Sequence, residues 1–293
     1  MGETVNTNQT PVVEYDKVSP INNPKDNTVV FITCAIEYEL SKLQEVRGCL
    51  VFIEEGMELP ASLKDRHTFL FSSNPALNYA EYTHKIAEKE SLNNKQRQYR
   101  LQEEGYYLGE NVTIGENVFI EPGALIGHDV VIGDNVSILS HAIVKDARIG
   151  KNCLIKEFAR IGCQAFTITT NDEGNKVRMP CLGGVLIEDD VEIGSFSTIN
   201  RGLNSDTHIC SFVKIDDHVG IGHDAVIGRN TLIVAGAVLG GYVSVGESVY
   251  IGLNASLKNR INIGSGTTIS LGARVVKDVE AGQGTFGVPK SNN

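Results

Sequence analysis

The sequence has no tryptophan, and phenylalanine and tyrosine together make up only 6% of its 293 residues. A core with so few aromatics must be filled by aliphatic side chains, and Ile, Leu and Val supply 77 residues, about a quarter of the chain. Positive charge is also short. Lys and Arg number 26 against 36 Asp and Glu, a formal net charge of −10, so no broad cationic surface is expected and nucleic acid is excluded as a main partner. No apolar run approaches the roughly 18 residues of a membrane-spanning helix. Met1 to Thr10 has neither a basic start nor an apolar centre, so a secretory signal is not expected. The six cysteines (Cys34, Cys49, Cys153, Cys163, Cys181 and Cys210) form no CxxC pair. In a chain of this length they are expected as reduced thiols in the cytoplasm.

What the sequence does have is a repeat. From Ile209 an aliphatic residue recurs every six positions: Ile209, Ile215, Ile221, Ile227, Ile233, Leu239, Val245, Ile251, Leu257, Ile263, Ile269 and Val275. Earlier blocks run Leu108, Ile114, Ile120, Ile126, Ile132, Ile138 and Val144, then slip by one residue to Ile149, Ile155 and Ile161, and resume at Ile187, Ile193 and Ile199. A helix needs apolar spacing of 3 to 4 and an amphipathic strand needs 2; a period of six fits neither. It fits short parallel strands joined by tight turns, one hexad per face of a triangular prism, with the aliphatic pointing inward and stacking on its equivalent one coil, 18 residues, away. Glycine, 30 of 293 residues, and Asn/Asp supply the turn conformations. Residues 162–186 and Arg201 to Thr207 leave the register as loops.

Residues 1–104 lack the repeat. Residues 1–27 are polar with three prolines and are expected to be a disordered or extended tail. Val29–Ile32, Cys49–Ile53 and Thr68–Phe71 read as buried strands, Glu37 to Val46 as a helix, and Asn74-Pro75 as the cap and first position of a helix running to about Glu90. The expected organisation is a small α/β domain at 28–104 with a connecting helix, a mainly β prism at 105–282, and a tail at 283–293.

The hexads, and above all Leu182-Gly183-Gly184-Val185-Leu186-Ile187-Glu188-Asp189-Asp190, Ser197-Thr198-Ile199-Asn200-Arg201-Gly202, Val213-Lys214-Ile215-Asp216 and Ile221-Gly222-His223, resemble the left-handed β-helix acyltransferases, in particular the bacterial UDP-3-O-acylglucosamine N-acyltransferases of lipid A assembly. Ser73-Asn74-Pro75-Ala76-Leu77-Asn78-Tyr79-Ala80 resembles the helix start of that family's N-terminal domain. The closing Gly284-Thr285-Phe286-Gly287-Val288-Pro289-Lys290 resembles instead the end of the coenzyme A-dependent sugar acetyltransferases of the same fold. The resemblance implies a left-handed parallel β-helix, a homotrimer with sites between subunits, and acyl transfer from a thioester to the amine of a nucleotide-linked amino sugar. Departures are Asp217 where the family has Asn, Arg260 where it has a second His, and an N-terminal uracil site in which only Phe31 and Tyr38 have counterparts.

Amide formation from a thioester needs a base for the amine proton, a donor for the oxyanion and groups that orient both substrates. The family motif makes His223 the base. Asp224 and Asp216 are the carboxylates that would tune it. Gly241 lies 18 residues after His223, one strand spacing of about 4.8 Å away, where the absent side chain would let a carbonyl reach the backbone N–H. Arg201, His218 and Arg260 are candidate contacts for the sugar nucleotide, with Phe31 and Tyr38. Gly240, Lys258, Lys277 and Lys290 are candidates for the donor. No permanently bound cofactor or metal is expected, acyl-CoA or acyl carrier protein being a co-substrate. The chain stops about ten residues after the last hexad, which omits the family's helical extension for the carrier and directs the expectation to acyl-CoA. Two other readings are carried. The His218-x₄-His223 spacing is that of a zinc-dependent lyase of the carbonic anhydrase type, and a β-helix that only assembles would carry no chemistry at all.

Overall fold

The computed structural model describes residues 15–285. By internal contacts the chain divides between Tyr82 and Thr83, within the helix Pro75–Gln96.

In the first unit, strands β1 (Val29–Ile32), β2 (Leu50–Glu54) and β3 (Thr68–Ser72) form a parallel sheet in that order, with Val29 beside Leu50 and Leu50 beside Thr68. The first two strands read as unbroken apolar runs, as sequences covered on both faces do. A 3₁₀ helix spans Cys34–Glu45, kinked at Ile36, rather than the α-helix expected from Glu37. Asn74 caps the following helix by accepting the Leu77 N–H at 3.1 Å, and that helix runs on to Gln96 rather than stopping near Glu90. Residues 15–27 are extended and pinned: Val18 bridges Val29, and Tyr15, Ser19 and Ile21 are buried.

The second unit is the prism. Its three faces are parallel sheets of 10, 8 and 9 strands among the described residues, the tenth strand of the first face being an antiparallel addition at Arg100–Leu101. The first face contains Leu108, Ile126 and Ile221, the second Ile114, Ile132 and Ile227, and the third Ile120, Ile138 and Ile215. Successive coils pair in register, Ile199 with Ile221 and Ile221 with Leu239. All twelve aliphatics from Ile209 to Val275 are buried, and so are Val213, Val219, Ala225, Thr231, Ala237 and Val243, four residues after an aliphatic. Each fully buried Ile side chain contributes about 1.5–3 kcal/mol relative to exposure. Ile114 differs, at 37% exposed. It belongs to the first coil, and its strand pairs on one side only.

The third residue after each inward aliphatic is the turn residue. Nineteen non-glycine residues have φ between 46° and 63°, most of them at this place and many of them Asn or Asp, the types that best tolerate the left-handed region. The slipped hexad at Val144–Ile149 is one residue short, and there the left-handed residue is Asp146, two after Val144. No helix among the described residues is long and apolar enough to cross a membrane, and none of the six cysteines is disulfide-bonded.

Candidate functional site

The hexad register assigns side chains to edges. Residues that follow an aliphatic of the first face lie on the edge between the first and second faces. Arg201, His223, Asp224, Gly240, Gly241, Lys258, Arg260 and Lys277 all occupy this first edge. Both excursions leave from it too: the chain from Cys163 to Val185, with its hairpin Ile168–Thr170 and Lys176–Arg178, and the loop from Arg201 to Asp206. Asp216 and His218 follow Ile215 of the third face and lie on a different edge.

His223 and Asp224 are bonded, Nδ1 to Oδ2 at 2.8 Å. Adjacent side chains in a strand diverge, but Asp224 is the left-handed turn residue (φ 54°), which swings its carboxylate back onto the imidazole. The loop Arg201–Asp206 closes over it. Asp224 accepts the N–H of Leu203 at 2.6 Å, the N–H of Ser205 at 2.9 Å and the hydroxyl of Ser205 at 2.6 Å. Its side chain is 1% exposed, against 18% for that of His223. A carboxylate can only accept, so Nδ1 carries a proton, and in the neutral imidazole the lone pair is on Nε2.

Gly241 faces that nitrogen. A Cβ built on it would fall inside van der Waals contact of Nε2, and at 2.7 and 2.8 Å from Cε1 and Cδ2. At the same hexad place, the backbone N–H groups of Glu116, Ser195 and Ala235 are each capped by an aspartate side chain. Among the described residues, no side chain caps the N–H of Gly241 in this way.

Tyr242 completes the cluster. Its ring meets His223 edge-on at 5.0 Å, its hydroxyl donates to Asn204 Oδ1 at 3.1 Å, and the Arg260 guanidinium lies 4.2 Å above its ring. Asp224, Tyr242 and Arg260 are one ladder at 18-residue spacing, all left-handed. Tyr242 and the Leu203–Ser205 cradle were not among the expected site residues. The available signal for Tyr242 was its place one coil above Asp224, with an aromatic where the turn favours Asn.

Arg201 lies one coil below His223. Its side chain is 11% exposed, donates from Nε to Gly183 O at 2.6 Å and pairs with Asp146 at 3.0 Å. It lines a cavity of about 400 Å³ with Glu90, His128, Asp146 and Gln164, which His223 does not line. Burial pushes the Glu90 carboxyl up, partly offset by Arg201. Lys258 and Lys277 are exposed, one and two coils beyond Gly240 and Gly241 on the same edge. Gly240 has no room for a side chain, since a Cβ would sit 2.5 Å from Asn259 N.

Other expected residues are not brought to His223. The Asp216 carboxylate caps the N–H groups of Asp217 and Ala235, at 2.8 and 3.1 Å. His218 stacks on Phe196, at the end of a column with His141 and Phe158. Being on different edges, His218 and His223 do not converge as a metal pair. In the first unit Phe31 packs on Tyr79 at 4.7 Å and Tyr38 is 74% exposed. Lys290 lies outside the described residues.

The sequence matches the family Bacterial transferase hexapeptide (six repeats) over residues 111–146 and 206–241. Those two stretches carry the hexapeptide repeat of that family. Over 110 residues, 38% of its length and 31% of the relative's, it is 38% identical to a UDP-3-O-acylglucosamine N-acyltransferase of Methylorubrum populi. Over 75 residues, 26% of its length and 22% of the relative's, it is 48% identical to the enzyme of that name from Francisella tularensis subsp. holarctica. The chain thus spans less than a third of the length of these curated relatives. Among solved structures it is similar to a UDP-N-acetylglucosamine acyltransferase from Campylobacter jejuni, with a TM-score of 0.52, 24% identity, and 61% of this chain and 68% of that one covered. Its fold is the left-handed parallel β-helix of that neighbour, with a small N-terminal α/β unit.

Proposed function

We propose that this chain is an acyltransferase that moves an acyl group from a thioester to the amine of a nucleotide-linked amino sugar. The observation that carries this reading is the Gly241 backbone, uncapped among the described residues, against the ring of a His223 held through Nδ1 by Asp224. The amine attacks the thioester carbonyl, forming the C–N bond. His223 Nε2 takes the amine proton, and Asp224 holds the ring and balances the imidazolium. The Gly241 N–H donates to the oxyanion, with no side chain in the carbonyl's path. Collapse breaks the C–S bond, and the proton on Nε2 passes to the departing sulfur. Arg201, one coil below, and Lys258 and Lys277, one and two coils above the glycines, offer charge for the phosphates of acceptor and donor on one edge. The amine acceptor agrees with the names of the relatives.

For the donor we propose a coenzyme A thioester, on the resemblance of Gly284–Lys290 to the ending of CoA-dependent sugar acetyltransferases. The carrier-protein donor is the second reading, favoured by the resemblance of residues 182–223 to the lipid A enzymes. The assay offers the full chain matched acyl-CoA and acyl-carrier donors with UDP- and dTDP-linked amino sugars. Turnover with acyl-CoA is expected; turnover with the carrier alone overturns the donor assignment, and none with any pair overturns the acyltransferase reading. We assign the reaction to the cytoplasm, where six unpaired thiols persist. The family resemblance further supports a homotrimer. Light scattering is expected to give three times the 31.8 kDa chain mass, and the mass of one chain would refute it.

A further inference from the structure

The edge between the second and third faces carries a separate constellation. In strand Thr207–Ile209 the inward Ile209 is buried at 0%. Strand alternation therefore turns His208 and, just beyond the strand, Cys210 to the outer surface. The strand pairs with Val185–Ile187, Ile187 beside Ile209, which brings Glu188 alongside Cys210. One donor atom from each of Glu188, His208 and Cys210 lies within 4.8 Å of the others. His208 Nε2 is 2.8 Å from Glu188 Oε1, and Cys210 Sγ is 3.9 Å from His208 Nε2.

We propose that Glu188, His208 and Cys210 form a binding site for one divalent transition-metal ion of the zinc class. Ligand bonds of about 2.0–2.3 Å at tetrahedral angles separate donor atoms by roughly 3.5 Å, so the observed 2.8 and 3.9 Å bracket the spacing required. A thiolate with an imidazole selects zinc, cobalt or copper over calcium and magnesium, which prefer all-oxygen sets. The carboxylate is already oriented. Its other oxygen, Oε2, accepts the N–H and hydroxyl of Ser211 at 2.8 and 2.7 Å, leaving Oε1 directed at the site.

The coils above and below leave room. Cys210 pairs through its N–H with Ile227 O and is followed one coil on by Gly228, while Glu188 is preceded one coil back by Gly150. Neither glycine places a side chain over Glu188 or Cys210, while His208 lies between Leu186 and Val226. On binding, the Cys210 thiol proton leaves to solvent. The Nε2–Oε1 hydrogen bond gives way to one bond from each atom to the metal, with the imidazole proton moved to Nδ1. The ion would join two adjacent coils immediately after the Cys163–Val185 excursion. This assignment does not rest on the acyltransferase reading.

The test is titration of the chelator-treated full chain with Co(II), reading the near-ultraviolet thiolate-to-cobalt charge-transfer band and the visible bands of a tetrahedral ion, followed by displacement with Zn(II). One equivalent per chain is expected, with a zinc-dependent rise in melting temperature. Cys210→Ser should abolish the charge-transfer band and His208→Ala the one-equivalent binding, each checked for folding by circular dichroism. Ser211→Ala, which removes a support rather than a ligand, should weaken binding by about 10- to 100-fold. Cys34→Ser, which removes an exposed thiol elsewhere, should leave the band unchanged. Absence of the band in the parent chain, or its survival in folded Cys210→Ser, overturns the proposal.

Discussion

His223→Ala is expected to lower turnover by roughly 10²–10⁴-fold, the range for loss of a general base, with little change in melting temperature. The side chain lies at an edge of the prism and contributes nothing to the aliphatic core, so lost activity would not be lost fold. What the substitution removes is the imidazole that lies against the Gly241 backbone. The carboxylate of Asp224 would remain, held by Leu203 and Ser205, but without an imidazole to position. A steady-state assay with the amino sugar, paired with thermal melting of the variant, checks this. A well-folded His223→Ala protein with undiminished turnover would remove the catalytic reading altogether.

Gly241→Val should be equally severe, for a different reason. The backbone N–H remains in Val, but the new side chain fills the carbonyl's approach to it, and loss of one oxyanion contact costs about 10²–10³-fold in kcat in well-studied acyl-transfer sites. Even its Cβ would press on three atoms of the His223 ring. The backbone of Gly241 is not in the left-handed region, so a side chain brings no intrinsic backbone strain and the loss should appear in kcat rather than in stability. Single-turnover kinetics on the folded variant would separate the two. A Gly241→Val protein that folds and turns over normally would show that the carbonyl is bound elsewhere.

The prism was legible because its physics is local and repeated. One aliphatic per face, buried between two coils, imposes a period that no helix or isolated strand shares, and every member from Ile209 to Val275 is inside. Ile114 escapes because a period says nothing about where a stack ends. The position of Gly241 against His223 was legible for the same reason, being a register of one coil. Asp216 was legible only in part. Seven residues from His223 is more than one hexad, so the chain turns a corner between them, and the carboxylate caps a turn on another edge. Asp224 required the sign of a backbone dihedral, which sequence does not display when the residue is Asp. The Glu188–His208–Cys210 group was hidden by the four-residue insertion at Arg201–Asp206, which stretches one coil to 22 residues.

Both excursions from the prism leave at the edge that holds His223, one before it and one against it. Such a layout separates inheritance of chemistry from inheritance of selectivity. The hexads that fix His223 against Gly241, the proposed base and oxyanion donor, are bound by a register that tolerates little drift. The 163–185 excursion leaves and returns at one corner; near its end Leu182 and Gly183 are bonded to Leu203 and Gly202 of the loop over Asp224, while its hairpin at 168–178 lies outside the hexad stack. A lineage built on this scaffold can therefore vary that hairpin through indels while the register of His223 and Gly241 stays the same.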